Sequence, residues 1–195
     1  MENQEDKARQ YYSVSFAEEQ TNFVKASPHD VRDVIRLLKY WKKTENVPVR
    51  SYFLELLVIH MWQKKWQRTS KRSGYTMVVE VVNELTNIKE MKITWPDRYI
   101  STEYSPLPEK PVLLDPLNPY NNVAPFVNKL NDIVEKSRPL LLKIRKYLPT
   151  DHAMPKQDNE YTTVLEIPEL DEDSWVDNDE TTWEKADNSC GCIII

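Results

Sequence analysis

Four cations recur at helical spacing between residues 26 and 43, in the stretch ASPHDVRDVIRLLKYWKK. At about 100° per residue, a helix places them on one narrow arc and the apolar residues on the opposite side. The arc holds Arg32, Arg36, Lys39 and Lys43, and the apolar side holds Val31, Val34, Ile35, Leu38 and Trp41. Aligned Arg and Lys side chains can bind phosphate groups through charge-assisted hydrogen bonds. The solvated face of an ordinary amphipathic helix shows the same pattern, so the spacing alone leaves both interpretations open.

Side chains for catalysis or metal binding do not form a recognisable constellation in the sequence. His29, His60 and His152 are not separated by metal-ligand spacings, and His60 lies in an apolar segment where a core histidine is expected. No Ser-His-Asp or Cys-His arrangement suggests itself. Asp115, within LLDP, is expected to cap a turn. We therefore predict no catalytic residue in this chain.

The charge of the chain is unevenly distributed. Residues 151–195 hold thirteen of the 31 Asp and Glu residues and two of the 26 Lys and Arg residues, which leaves 18 acids and 24 bases in residues 1–150. A body with a net charge of +6 would attract partners that carry phosphate, and the acidic tail is expected to be disordered. Two isolated tryptophans, Trp175 and Trp183, make this tail either a solvated linker or a partner-docking motif.

The composition suits one domain with a tail in a reduced, intracellular setting. The 195 residues are 40% hydrophobic and include six Trp, which is enough for a core. Two Gly against thirteen Pro argue against glycine-rich phosphate loops and tight hairpins. No apolar run approaches a membrane span, and no signal peptide is recognisable. Both cysteines fall in the last six residues, so neither a disulfide framework nor a zinc site is expected.

Helix signals dominate the first half of the chain. Ser27 is expected at the N-cap of a helix, with Pro28 at its first position and Asp30 in its acidic first turn. Residues 51–62 (SYFLELLVIHMW) are apolar nearly all round, as in a fully buried helix. Residues 75–85 favour a third helix, although their four valines leave a strand open.

Shorter and weaker signals follow. KITW (92–95) and PVLLDP (111–116) predict short extended segments. Residues 123–147 predict two helices divided near Pro139. The fold class is therefore expected to be mainly α with a few short strands. The expected organisation is a lead-in at 1–15, a helical domain at 16–149 and an acidic, disordered tail at 150–195.

Three segments together resemble the C-terminal helical domain of the 2'-5' oligoadenylate synthetases. Their order and spacing agree from about residue 16 to about residue 147, and the succession R-x-x-K-x-W, S-Y-x-L-E-L-L and V-x-L-D-P is fairly specific. The segments are FAEEQTNFVKASPHDVRDVIRLLKYWKK (16–43), VPVRSYFLELLVIHMW (47–62) and KPVLLDPLNPYNNVA (110–124). The wider group includes the cyclic GMP-AMP synthases. The resemblance implies the helical domain of an enzyme with a nucleotidyltransferase fold.

The resemblance also implies ATP as a substrate and a set of nucleotide contacts. The family makes nucleotide oligomers from ATP in antiviral defence when double-stranded RNA is present. Two Mg²⁺ ions, held by three Asp of a palm domain, align a ribose hydroxyl for attack on an α-phosphate. Arg36 and Lys39 match cations that touch the nucleotide phosphates. Ser51 stands where vertebrate enzymes have Gln and resembles the cyclic dinucleotide branch, whose hydroxyl reaches a phosphate. Tyr52 matches the aromatic that stacks on the base, and a plain core aromatic is the alternative.

For double-stranded RNA, the resemblance implies fewer contacts. Lys25 matches a basic contact of the family, whereas Thr21 and Asp30 stand where vertebrate enzymes place cations. Asp30 would repel a phosphate, so RNA activation rests on other cations. A second basic cluster could supply them or could be a solvated loop. It consists of Lys64, Lys65, Arg68, Lys71 and Arg72.

The family's palm domain has no counterpart in residues 1–12, and its aspartates would precede residue 16. We expect no Mg²⁺ ligand in this chain and no nucleotidyl transfer by the chain alone. The chain is then either a fragment of a longer product or a relative without the palm. The alternative function is a non-catalytic, prenylated module that binds RNA or protein.

The last four residues, CIII, fit the C-a-a-X prenylation pattern, with Cys192 as the thioether site. Cys190 could take a second, palmitoyl chain, and two lipids anchor stably where one binds reversibly. Because anionic lipid would repel the acidic tail, lipid rather than charge must supply the anchoring. Some members of the resembled family also end this way, which implies a cytoplasmic protein tethered to endomembranes.

Overall fold

Helices form most of the structure, and a short parallel sheet completes it. The computed structural model describes residues 16–67, 73–100 and 109–146, all of which belong to one compact unit. Within these ranges the α-helices are α1 (Ala17–Lys25), α2 (His29–Thr44), α3 (Ser51–Met61), α4 (Gly74–Thr86) and α5 (Leu130–Arg145). The strands are β1 (Lys92–Ile93) and β2 (Val112–Leu113). The mainly α fold class is confirmed. The predictions for the acidic tail, its tryptophans and its cysteines lie outside the described residues.

The amphipathic character of α2 sets its orientation. All five residues of its predicted apolar side are buried, with at most 8% of their surface exposed. The helix begins one residue later than predicted, with Pro28 as its N-cap, so the assignment of Ser27 as the cap is wrong. The Ser27 N–H instead donates to the Val24 carbonyl at 3.1 Å, which closes the turn after α1. Asp30 does occupy the first turn, where its carboxylate accepts the next backbone N–H at 3.0 Å.

α3 and α4 form the centre of the core. Seven of the eleven residues of α3 are buried, as expected of a helix that is apolar nearly all round. Residues 74–86 form a helix rather than a strand, because Ser73 accepts the Thr76 N–H at 3.3 Å as an N-cap and the four valines are buried by their neighbours. None of the helices within the described ranges is long and apolar enough to cross a membrane.

α5 differs from its prediction. One helix runs without a break through Pro139, so the expected division into two helices is wrong. Proline removes a backbone hydrogen bond and costs about 3 kcal/mol or more inside a helix. Pro139 lies on the exposed side, however, while Ile133 and Leu141 are buried before and after it. The burial of one continuous apolar side therefore outweighs the local cost of the proline.

The sheet positions the Asp-Pro turn that follows β2. β1 and β2 pair in parallel, with Lys92 opposite Val112, which confirms both predicted extended segments. The Asp115 N–H donates to the Asn121 carbonyl at 2.9 Å, and the Trp95 indole N–H donates to the carbonyl of the residue before Asp115 at 2.6 Å. These bonds hold the backbone of the turn on both sides of its acidic residue.

α1 lies on the surface of the body and was not predicted as a separate helix. None of its nine residues is buried. Phe23 meets Trp95 edge to face, with ring centroids 5.7 Å apart and ring planes at 89°. Trp95 also meets His60 edge to face at 5.4 Å, so this indole lies between α1 and α3.

Candidate functional site

Cations of α2 lie beside the first two turns of α3. The Lys39 Nζ is 3.0 Å from the Glu55 Oε1, and the Lys42 Nζ donates to the Ser51 Oγ at 3.1 Å. Arg36 precedes Lys39 by one turn on α2. We call these five residues the α2–α3 strip. Two of the predicted ATP-binding residues, Lys39 and Ser51, thus lie where α2 contacts α3, and Arg36 lies one turn away from Lys39 on α2.

The cations of the strip are partly shielded from water and partly balanced by acids. The side chains of Lys39 and Glu55 are 16% and 15% exposed. The Arg36 side chain is 22% exposed, and its Nη1 donates to the Asp33 Oδ1 at 2.6 Å. Ion pairs in such partly buried positions are less screened by salt than surface pairs. Arg36 and Lys39 thus have carboxylate partners on α2 and on α3 respectively.

The first turn of α3 contributes the positive end of a helix dipole to the strip. Ser51 is the first residue of α3, and the N-cap residue Arg50 makes no side-chain hydrogen bond to the helix. The first N–H groups of a helix lack intrahelical acceptors and form the positive end of its dipole. Ser51 and the Lys42 ammonium thus lie at the positive end of α3.

Lys42 was not predicted as a site residue, because it lies at the edge of the cation arc of α2. Periodicity within one helix shows which residues share a face, but it does not show where the next helix lies. α3 packs on the side of α2 that carries Lys42, whereas Lys43 is exposed. The signal available in the sequence was the spacing of three residues between Lys39 and Lys42.

Tyr52 is tied to the core through its hydroxyl. The hydroxyl donates to the Asp115 Oδ1 at 3.1 Å, and the ring packs against the core cluster while remaining partly exposed. Burial, followed by the neighbouring Asp115 carboxylate, raises the pKa of Tyr52 well above its usual value of 10. Tyr52 is therefore a neutral hydrogen-bond donor. Its stacking on a base stays a prediction.

Asp115 caps its turn as predicted and also has long-range partners that the sequence did not reveal. Its Oδ1 accepts the Leu117 N–H at 2.9 Å, and its Oδ2 accepts the amide of Gln20 at 2.7 Å. The residue is completely buried. Burial, followed by the charge of Asp115, also raises the pKa of Tyr99, whose hydroxyl donates to the Asp115 carbonyl at 2.7 Å.

The predicted RNA contact and the second basic cluster lie elsewhere on the surface. Lys25 is exposed and ends α1. Lys64 pairs with Asp97 at 3.2 Å, and Lys65 pairs with Glu84 at 3.1 Å. The remaining three cations of the cluster lie at residues 68–72, outside the described residues. Two of its five members thus already have acidic partners.

A cavity of about 270 Å³ lies beside His60, away from the α2–α3 strip. Burial, reinforced by the Lys64 charge, lowers the pKa of His60 from 6.5 to about 4, so the imidazole is neutral at pH 7. His60 is partly buried and packs on Trp95, as expected of a core histidine, but its Nδ1 has no hydrogen-bond partner among the described residues, so the expected satisfied histidine is not found. Over residues 16–67, 73–100 and 109–146, no group of three or more His, Cys, Asp or Glu side chains could hold a metal ion. The described residues therefore do not fit an Mg²⁺ site.

The fold and the strip define a mainly helical domain that presents partly buried cations beside a helix start. The sequence model of the family described as 2'-5'-oligoadenylate synthetase 1, domain 2, C-terminus, matches residues 1–157. The chain therefore belongs to the 2'-5'-oligoadenylate synthetase family and carries its C-terminal domain.

Individual relatives agree with this assignment. The chain is similar to 2'-5'-oligoadenylate synthase 1A of Rattus norvegicus, with 30% identity over 129 residues that cover 58% of this chain and 35% of the relative. It is 30% identical over 131 residues to 2'-5'-oligoadenylate synthase-like protein 1 of Mus musculus, covering 58% and 25%. It is 29% identical over 130 residues to a protein named inactive 2'-5'-oligoadenylate synthase 1B of Rattus norvegicus, covering 58% and 33%. The chain thus matches about a third or less of the length of these curated relatives.

Proposed function

We propose that this chain supplies the helical wall of an ATP-binding cleft in a 2'-5' oligoadenylate synthetase-like nucleotidyltransferase of antiviral innate immunity. One observation carries the proposal: Lys42 and Lys39 of α2 contact Ser51 and Glu55 in the first two turns of α3, and Arg36 lies one turn before Lys39 on α2. A triphosphate is a chain of anionic oxygens, and charge-assisted hydrogen bonds from Arg and Lys bind such groups strongly. The positive end of α3 supports the same ligand.

Tyr52 lies next to Ser51 at the start of α3, and we assign its partly exposed ring to the nucleotide base. Its hydroxyl is held by Asp115, which fixes the ring relative to α3. A partly exposed ring fixed in this way offers a flat apolar surface at low entropic cost. Ser51 then faces a phosphate and Tyr52 faces the base of the same nucleotide.

The proposed role of the described residues is to bind and orient the nucleotide. Family chemistry uses Mg²⁺ to align a ribose hydroxyl and an α-phosphate, and the described residues do not fit as its ligands. The metal would be held by another part of the protein, outside the described residues. The residues of the α2–α3 strip would hold the triphosphate still while that part acts.

Two finer features extend the proposal. Double-stranded RNA would meet the exposed end of α1 at Lys25, through phosphate contacts that depend on salt. A prenyl group on Cys192, with a palmitoyl chain on Cys190, would tether the protein to endomembranes from the cytoplasmic side. Both features rest on sequence and on family resemblance.

The second candidate function is a non-catalytic, prenylated module that binds RNA or protein. It is favoured by the pairing of Lys39 with Glu55 at 3.0 Å, because a cation already neutralised by a carboxylate attracts phosphate less strongly. A full chain that binds no ATP, yet binds duplex RNA with an affinity that falls steeply with salt, would support this alternative.

The experiment compares Lys39→Ala with Lys43→Ala in the full chain. Both variants remove one positive charge from α2, but Lys43 is exposed and lies outside the α2–α3 strip. We expect Lys39→Ala to weaken ATP binding about tenfold or more and Lys43→Ala to change it less than about twofold, since a charge-assisted hydrogen bond contributes about 1.5–3 kcal/mol. Calorimetric titration gives the affinities, and urea unfolding shows whether Lys39→Ala remains folded. Equal affinities in the two folded variants would reject the proposed phosphate contact.

A further inference from the structure

The buried carboxylate of Asp115 is held by donors that are all neutral. Oδ1 accepts the Tyr52 hydroxyl at 3.1 Å and the Leu117 N–H at 2.9 Å. Oδ2 accepts the Gln20 amide at 2.7 Å and the Asn121 amide at 3.4 Å. A carboxylate has about four lone-pair positions, so these four donors occupy its full capacity.

The position of each donor therefore affects the others. Asp115 has no exposed surface, so water does not replace a donor that moves away. The loss of one hydrogen bond raises the free energy of a buried carboxylate. The remaining donors must then shift toward the carboxylate, or their hydrogen bonds to it are lost as well. The Tyr52 hydroxyl is one of these donors, which links its ring position to the other three.

The donors come from separate parts of the fold. Gln20 belongs to α1, Tyr52 belongs to α3, and the other two belong to the loop after β2. α1 contains no buried residue, and Phe23 supplies its aromatic contact with Trp95. The Trp95 indole in turn donates to the carbonyl of Leu114, next to Asp115. The contacts of Gln20 and Phe23 thus both lead from α1 to the Asp115 turn.

We propose that Asp115 is a positioning residue that sets the Tyr52 ring and, through Gln20, makes that ring respond to movement of α1. The nucleotide part of this inference rests on the proposed function, because it assigns Tyr52 to an ATP site. The link from Gln20 through Asp115 to Tyr52 stands on the hydrogen bonds alone. A partner that displaced α1 would then change how the protein holds a nucleotide.

The first test needs no ligand. The full chain is labelled with ¹³C at the tyrosine Cζ, and the Tyr52 resonance is assigned with Tyr52→Phe. Gln20→Met removes the amide donor and keeps the length of the side chain. We expect it to shift the Tyr52 resonance, while Gln67→Met, the same change at an exposed position, leaves that resonance in place. An unmoved Tyr52 resonance in Gln20→Met would overturn the link.

The second test is a double-variant cycle on ATP affinity. We expect Gln20→Met to weaken ATP binding three- to tenfold, Tyr52→Phe to weaken it by a similar factor, and the double variant to be no weaker than Tyr52→Phe alone. Losses that multiply in the double variant would show that Gln20 acts independently of Tyr52 and would overturn the inference. If the unaltered chain binds no ATP, the proposed function fails, and the tyrosine resonance still decides whether Asp115 positions Tyr52. Urea unfolding of each variant confirms that the compared proteins are folded.

Discussion

Replacing Glu55 with Gln should strengthen ATP binding. The Lys39 ammonium lies 3.0 Å from the Glu55 carboxylate, and both side chains are largely shielded from water. A phosphate that contacts Lys39 from its other side would lie roughly 7 Å from that carboxylate. At this separation the repulsion between two unit charges is about 0.6 kcal/mol in water and about 2.4 kcal/mol at an effective dielectric constant of 20. Removing it should raise ATP affinity between about threefold and about fiftyfold.

The same substitution should weaken the fold only moderately. The Gln amide oxygen can still accept a hydrogen bond from Lys39, so the expected loss in the free energy of unfolding is about 1–2 kcal/mol. Calorimetric titration with ATP and urea unfolding measure the two effects separately. Glu135→Gln is the matched control, because it removes the same charge from an exposed position on α5. An ATP affinity in Glu55→Gln that is no higher than in the control would refute the placement of phosphate beside Lys39.

Two further predictions concern stability. Lys136→Met should lower the free energy of unfolding by about 1–2 kcal/mol, because the Lys136 ammonium donates to the carbonyls of Glu45 (2.6 Å) and Asn46 (2.7 Å) at the C-terminal end of α2. Urea unfolding should show a smaller loss for Lys143→Met, an exposed lysine on the same helix, and equal losses would contradict the capping role. Acid should destabilise the protein through His60, whose pKa is lowered by burial from 6.5 to about 4. Because the unfolded chain binds this proton first, the loss should develop as the pH falls from about 6.5, reach about 2 kcal/mol at pH 5 and level off below about pH 4. His60→Gln should lack this component, and an unchanged pH dependence of unfolding would disprove it.

Helix positions with strong periodicity were predictable from the sequence. The apolar side of α2 and the continuous burial of α3 follow from spacing and composition, because both depend on contacts that any core must supply. Local signals were less reliable where two of them competed. Ser27 is a good N-cap residue, but it belongs to the turn that ends α1, and α2 starts one residue later, after Pro28. Pro139 is a good helix breaker, but burial on both sides of it keeps α5 continuous.

The candidate site was only partly predictable, because its contacts join residues that are far apart in sequence. Arg36 and Lys39 stood out by spacing and by resemblance. The acidic partner of Lys39 is sixteen residues away on the next helix, so its identity depends on how α2 and α3 pack. Asp115 was recognisable as a turn residue from its neighbours. Its bond to Gln20 spans 95 residues and required the packing of α1 against the turn after β2.

Amide chemical-shift mapping during titration of the full chain with ATP tests the central claim most directly. The proposed cleft predicts saturable shifts that are largest at the start of α3, around Ser51 and Tyr52, and along α2 near Lys39. The absence of saturable shifts, or the largest shifts around the cavity beside His60, would contradict the placement of a nucleotide at the α2–α3 strip.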